Sequence, residues 1–150
     1  MIAANFDQPT RQMNLQVSER SGAGPSNGKG CRILLVEDDI TVAELYATVL
    51  RLNDHAVTIA ADGVAGLEAM RSGSFDIILL DIRMPRMDGL AMLRTALGES
   101  GTVETPVLIL TNYDDPNLRQ QAMELGARDY LLKSRTMPHD LAAQVARWCA

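Results

Sequence analysis

The chain has 150 residues, 47% of them hydrophobic but only 4% aromatic, and a formal net charge of −5. That length suits one domain with a core of aliphatic side chains, alanine and methionine, and the acidic balance argues against a chain that lives on nucleic acid, whose footprint is a basic stripe. No apolar run approaches the roughly 20 residues needed to cross a bilayer, and "MIAANFDQPTRQMNLQVSER" has neither the basic start nor the apolar centre of a secretory signal. A cytoplasmic location and no membrane contact are therefore expected.

Residues 1–30 read as a disordered tail and linker, because "SGAGPSNGKG" is rich in Gly, Ser, Pro and Asn. The Gly28-Lys29 pair is not a phosphate-binding loop: that pattern needs Gly at position 23, which is Ala23, and Ser or Thr at position 30, which is Gly30. From Cys31 the pattern becomes regular. "RILLVED" predicts a strand ending in acids. "DITVAELYATVLRLND" predicts a helix with Val42, Leu45, Tyr46, Val49, Leu50 and Leu52 at helical spacing, capped by Asp38 or Asp39. "AVTIA" is a second strand. "DGVAGLEAMRSG" is a helix with Val64, Leu67 and Met70 on one face. "DIILLD" is a third strand, and "DGLAMLRTALGES" a helix with Leu90, Leu93 and Leu97 on one face. "PVLILT" is a fourth strand. In "DPNLRQQAMELG", Asp115 caps a helix, Pro116 fits its first position and Gly126 ends it. Leu118, Met123 and Leu125 of that helix are expected to pack into the core. "ARDYLLK" is a fifth strand, and "PHDLAAQVARWCA" a last helix with Leu141, Val145 and Trp148 along one face. His55 and His139 are expected on the surface, and Cys31 and Cys149 as ordinary reduced thiols near the ends of the domain.

Five strand–helix units in alternation imply an α/β domain over residues 31–150 with a parallel sheet. The continuous aliphatic runs of strands one, three and four fit strands covered on both faces. Open parallel sheets bind ligands beyond the carboxyl ends of their strands. Four of those ends carry chemistry here: Glu37-Asp38-Asp39, Asp81, Thr111 and Lys133. Taken singly, each is as readily a helix cap, a β-former or a surface charge. Taken together they form a rim of acids, hydroxyl and amine. Crowded carboxylates require a proton or a cation among them, and hard oxygen ligands with room for water suit Mg²⁺. A carboxylate can also attack phosphorus and become an aspartyl phosphate, with Lys133 and Thr111 stabilising the phosphoryl oxygens.

The pieces "LLVEDD", "DIILLDIRMPRMDGL", "PVLILT" and "GARDYLLK" resemble the response-regulator receiver domains of two-component signalling. The resemblance implies a flavodoxin-like (βα)5 three-layer sandwich with strand order 2-1-3-4-5. It implies Asp81 as phosphoacceptor, Asp38 as a direct Mg²⁺ ligand, Glu37 holding the metal through water, and the backbone carbonyl of Arg83 as a further ligand. Thr111 would be the switch hydroxyl, Lys133 the lysine that pairs with the phosphoryl group, and Tyr130 the rotating aromatic. The implied partners are a histidine kinase or histidine phosphotransferase and a downstream protein target, with no direct DNA binding. The implied chemistry is self-phosphorylation and self-hydrolysis, not enzymatic turnover.

Three positions depart from the common pattern. Ser134 follows Lys133 where the family most often has proline, and a cis bond to serine costs about 3–4 kcal/mol, so a trans bond is expected. Asn112 replaces a small residue after Thr111, and Arg83 sets a large cation beside the pocket. Alternative readings are a relay intermediate that passes its phosphoryl group on, a pseudo-receiver that is never phosphorylated, and a fragment of a larger regulator. A haloacid-type hydrolase is excluded, since it needs a second Asp two residues after the first, where Arg83 stands.

Overall fold

The computed structural model describes residues 30–101 and 103–149. The expected disordered tail lies outside the described residues except for Gly30. The chain forms β1 (Arg32–Val36), α1 (Ile40–Leu52), β2 (Ala56–Ala60), α2 (Gly63–Ser72), β3 (Ile77–Leu80), α3 (Gly89–Ser100), β4 (Val107–Thr111), α4 (Pro116–Glu124), β5 (Asp129–Leu132) and α5 (Pro138–Cys149). A 3-10 turn over Lys133–Arg135 joins β5 to α5. All strand pairs are parallel and the sheet order is β2-β1-β3-β4-β5, as the resemblance implies. No helix among the described residues is long and apolar enough to cross a membrane.

Side chains alternate across the sheet, so the continuous aliphatic runs feed two separate cores. Leu34, Val36, Ile78, Leu80 and Ile109 point to one face, where they meet Leu67 of α2, Leu90 and Leu93 of α3 and Ala122 of α4. Ile33, Leu35, Ile77, Leu79 and Leu108 point to the other, where they meet Ala43 and Leu50 of α1 and Leu141 and Val145 of α5. Each Leu, Ile or Val side chain among them contributes about 1.5–3 kcal/mol by leaving water. The edge strands read differently: β5 alternates between buried and half-buried residues, and only Ala60 of β2 is buried.

Four helices start from an aspartate whose carboxylate accepts first-turn backbone N–H groups: Asp39, Asp62, Asp88 and Asp115. The buried stripe of α1 is Ala43, Tyr46, Ala47 and Leu50, while Leu45 and Leu52 face solvent. The alanines take the contact because small side chains let a helix lie close to a sheet. For the same reason Gly66, not Val64, faces the core on α2, under Met92 and Val36. On α4, Leu118 and Leu125 pack inward but Met123 is exposed.

Two expectations are overturned at the amino ends of the strands. Cys31 and Cys149 are joined as a disulfide, their Cα atoms 6.1 Å apart. The fold brings them together because α5 packs beside α1 and its last turn ends next to the start of β1. His55 is 7% exposed, wedged between the end of α1 and β2, and its Nδ1 accepts the Cys31 N–H at 3.0 Å. His139 is exposed, as expected.

Candidate functional site

At the opposite ends of the strands, register decides which side chains meet. Val36 pairs with Leu80, so the residues that follow, Glu37 and Asp81, emerge side by side. The Asp81 N–H donates to the Val36 carbonyl at 3.0 Å, which carries the pairing one residue past the strands. Thr111 pairs with Leu132, so Lys133 emerges beside the end of β4. The Lys133 ammonium bridges the acids, with Nζ 2.5 Å from Glu37 Oε1 and 3.1 Å from Asp81 Oδ2. The remaining oxygens are held by backbone: Asp81 Oδ1 accepts from Ile82 N–H at 2.8 Å, and Glu37 Oε2 from Asp39 N–H at 3.1 Å. Gly89 closes the loop after β3, its N–H bonded to the Ile82 carbonyl at 2.7 Å; a Cβ there would collide with the Asp81 carbonyl.

Glu37 and Asp81 are buried and Asp38 is exposed, and each can offer an oxygen within 4.8 Å of the others. Three carboxylates against one ammonium leave the cluster net negative. Burial pushes both the Glu37 and the Asp81 carboxyl above the ordinary range, with the Lys133 contacts pulling the other way. Burial also works against the Lys133 charge, but the Glu37 hydrogen bond and the Asp81 charge outweigh it and raise its pKa. An anionic, oxygen-rich donor set with one exposed member fits a hard divalent cation such as Mg²⁺.

Thr111 is fully buried, and its hydroxyl accepts the Tyr113 N–H at 3.3 Å. Tyr130 lies inward, its ring under the Arg119 guanidinium at 4.7 Å, and its hydroxyl donates to the Tyr113 carbonyl at 2.6 Å. Arg83 is exposed on the loop after β3, and its guanidinium lies 4.6 Å from the centre of the Tyr113 ring. The peptide bond from Lys133 to Ser134 is trans, as expected. Of the residues singled out in the sequence, Glu37, Asp38, Asp81 and Lys133 come together at one rim, while Thr111 sits at the end of the neighbouring strand with Tyr113 as its partner. Sequence reasoning singled out the exposed Asn112 and passed over Tyr113, which spans Thr111, Tyr130 and Arg83. Its position two residues past a strand-end hydroxyl was the available signal. The Arg86–Asp62 ion pair, at 2.7 Å, was also missed; it ties the loop after β3 to the start of α2.

Comparison with known proteins places these features in context. Residues 33–146 match the model of the response regulator receiver domain. The chain is 35% identical over 130 residues to the response regulator MprA of Mycobacterium tuberculosis, covering 77% of this chain and 56% of that protein. It thus spans about half the length of the curated relatives it matches. Among solved structures, the receiver domain of the Francisella response regulator 1452 superposes with a TM-score of 0.72 at 28% identity, covering 79% of this chain and 96% of that one. The receiver domain of the sensor histidine kinase PA1611 from Pseudomonas aeruginosa, which has a magnesium ion coordinated in its active-site cleft, gives 0.71 at 29% identity over 80% and 98% of the two chains.

Proposed function

This chain belongs to the response regulator receiver domain family of two-component signalling, and we propose on that footing that it accepts a phosphoryl group on Asp81 and signals through a changed protein-binding face. The observation that carries the reading is Lys133 bridging Glu37 and Asp81 at the carboxyl end of a central strand. The donor is the phosphohistidine of a histidine kinase or phosphotransferase. An Asp81 oxygen attacks phosphorus, the nitrogen–phosphorus bond breaks, and the imidazole leaves with its electron pair. Asp81 is rigidly placed for this, since the Ile82 N–H holds its other oxygen. Lys133 exchanges a carboxylate partner for a phosphoryl oxygen. Mg²⁺ held by Glu37, Asp38, Asp81 and the Arg83 carbonyl would supply the charge neutralisation that three clustered acids and a phosphoryl group require.

The response follows from added charge. The Thr111 hydroxyl gives up the Tyr113 N–H and donates to a phosphoryl oxygen. That displaces the loop carrying Tyr113, whose carbonyl is the Tyr130 hydroxyl's partner. The surface of α4, β5 and α5 changes with it, and a protein target that prefers the new shape stabilises it. The chain works in the cytoplasm as a phosphorylated switch and catalyses only its own transfer and hydrolysis. Incubation with acetyl phosphate and Mg²⁺, read by intact mass, is expected to add one phosphoryl group. The adduct should vanish in Asp81→Asn and with a chelator present. An adduct that survives either treatment would overturn the reading.

A further inference from the structure

The amino ends of the strands hold a second cluster of reactive side chains, far from the first. Cys31 immediately precedes β1, His55 immediately precedes β2, and Cys149 is the last residue of α5. The 5-residue strand β1 separates Cys31 of this cluster from Glu37, about 20 Å at the usual rise per residue. Three elements converge on one spot: one ligand atom each from Cys31, His55 and Cys149 lie within 4.8 Å of one another. The two sulfurs are bonded across 118 residues of sequence. His55 is fixed by its N–H to the Leu50 carbonyl at 3.2 Å, and its Nδ1 lies 3.6 Å from the Cys31 sulfur.

We propose that Cys31 and Cys149 form a reversible dithiol–disulfide site, with His55 as the base that activates Cys31. Cys31 is 3% exposed and Cys149 is half-buried, so a small disulfide reaches Cys149 first. The Cys149 thiolate attacks it, forming a mixed disulfide and releasing one small thiolate, which takes up the Cys149 proton. His55 Nδ1 then removes the Cys31 thiol proton. The Cys31 thiolate attacks the Cys149 sulfur and expels the second small thiolate, which takes the proton back from His55. The two cysteines are oxidised by two electrons and the small disulfide is reduced to two thiols, so the exchange balances. Burial holds the His55 imidazole in its neutral, proton-accepting form. A Nδ1 that accepts the Cys31 N–H carries the ring proton on the other nitrogen, and in the reduced chain its one lone pair passes from that N–H to the Cys31 thiol proton, 3.6 Å being the present separation from the sulfur. Closing the bond ties the last turn of α5 to the first residue of the sheet, independently of any chemistry at Asp81.

The test uses the full chain, reduced with dithiothreitol, freed of reductant and treated with glutathione disulfide. Free thiols are counted by iodoacetamide labelling and intact mass. Two labels are expected before oxidation and none after, with a mass lower by two hydrogens, no retained glutathione, and both labels restored by reduced glutathione. Cys31→Ser should trap glutathione on Cys149. His55→Asn keeps an oxygen for the Cys31 N–H but no base, and should close the bond about tenfold more slowly. Thiols that stay free, disulfide-linked dimers, a bond that reduced glutathione leaves closed, or an unchanged rate in His55→Asn would overturn the proposal. So would a reduced chain that binds one Zn²⁺ and then resists glutathione disulfide, since the three side chains would be a metal site.

Discussion

The two ends of β1 solve the same problem in opposite ways. At its carboxyl end the sheet buries Glu37 and Asp81 side by side and shares Lys133 between them. At its amino end the buried groups are neutral: a disulfide and an imidazole. Burial acts on both ends alike, because it disfavours charge. It raises the Glu37 and Asp81 carboxyls and lowers His55. The carboxyl end offsets that cost with an ion pair; the amino end holds uncharged groups and adds a covalent link.

The sharpest way to break this contrast is to remove the shared cation. Lys133→Met leaves two buried carboxylates without a counter-ion and should cost about 3–5 kcal/mol in metal-free protein, read from urea denaturation. Opening the disulfide is the matching perturbation at the other end. The cysteines are 118 residues apart, so reduction should lower stability by about 2–4 kcal/mol, with the largest loss of amide protection in the last turn of α5.

A smaller effect sharpens the electrostatic half of the comparison. The Asp81 pKa is raised above its ordinary 3.8 in the folded state, so the native protein binds more protons than the unfolded chain at mildly acidic pH. Its contribution to stability is present below pH 3.8 and is lost as pH rises through the raised value. In the presence of a chelator, Asp81→Asn should therefore stabilise the protein at neutral pH, with the gain fading below about pH 4. His55 runs the other way. Its folded pKa lies below 6.5, so its contribution is present above pH 6.5 and lost on acidification. His55→Asn should flatten the acid side of the stability profile, measured by urea midpoints across pH.

These contrasts also mark what the sequence makes legible. The strands announce themselves as aliphatic runs, and their carboxyl ends expose acid, acid, hydroxyl and lysine in plain order. Local signals, such as Asp115-Pro116 and Gly126, place helix ends correctly. What local pattern cannot carry is a contact made by the whole fold. Cys31 and Cys149 meet only once α5 has returned beside β1, and His55 is buried only by the junction they help to form. Which side of α1 faces inward is decided by Ala43 and Ala47, residues too small to stand out in a hydrophobic pattern that favours Leu45 and Leu52. Tyr113 goes unremarked in the sequence because its three partners come from β4, β5 and the loop after β3.

The smallest predicted effect concerns that loop. Arg83 stacked on Tyr113 bridges the segments that follow β3 and β4, which would flank a phosphoryl group on Asp81. A cation–π contact at an exposed site is worth about 0.5–1 kcal/mol. Arg83→Ala should thus shorten the lifetime of the phosphorylated form by about two- to fivefold; equal decay rates would dismiss Arg83 as a determinant of that lifetime.

The central claim is that the phosphoryl group lands on Asp81, the acid at the end of β3 that shares Lys133 with Glu37. Borohydride reduction converts an aspartyl phosphate into homoserine, and peptide sequencing by mass spectrometry then reads its position. After treatment with acetyl phosphate and Mg²⁺, homoserine is predicted in place of Asp81. Homoserine in place of Asp38 or Asp39, with Asp81 intact, would contradict the account.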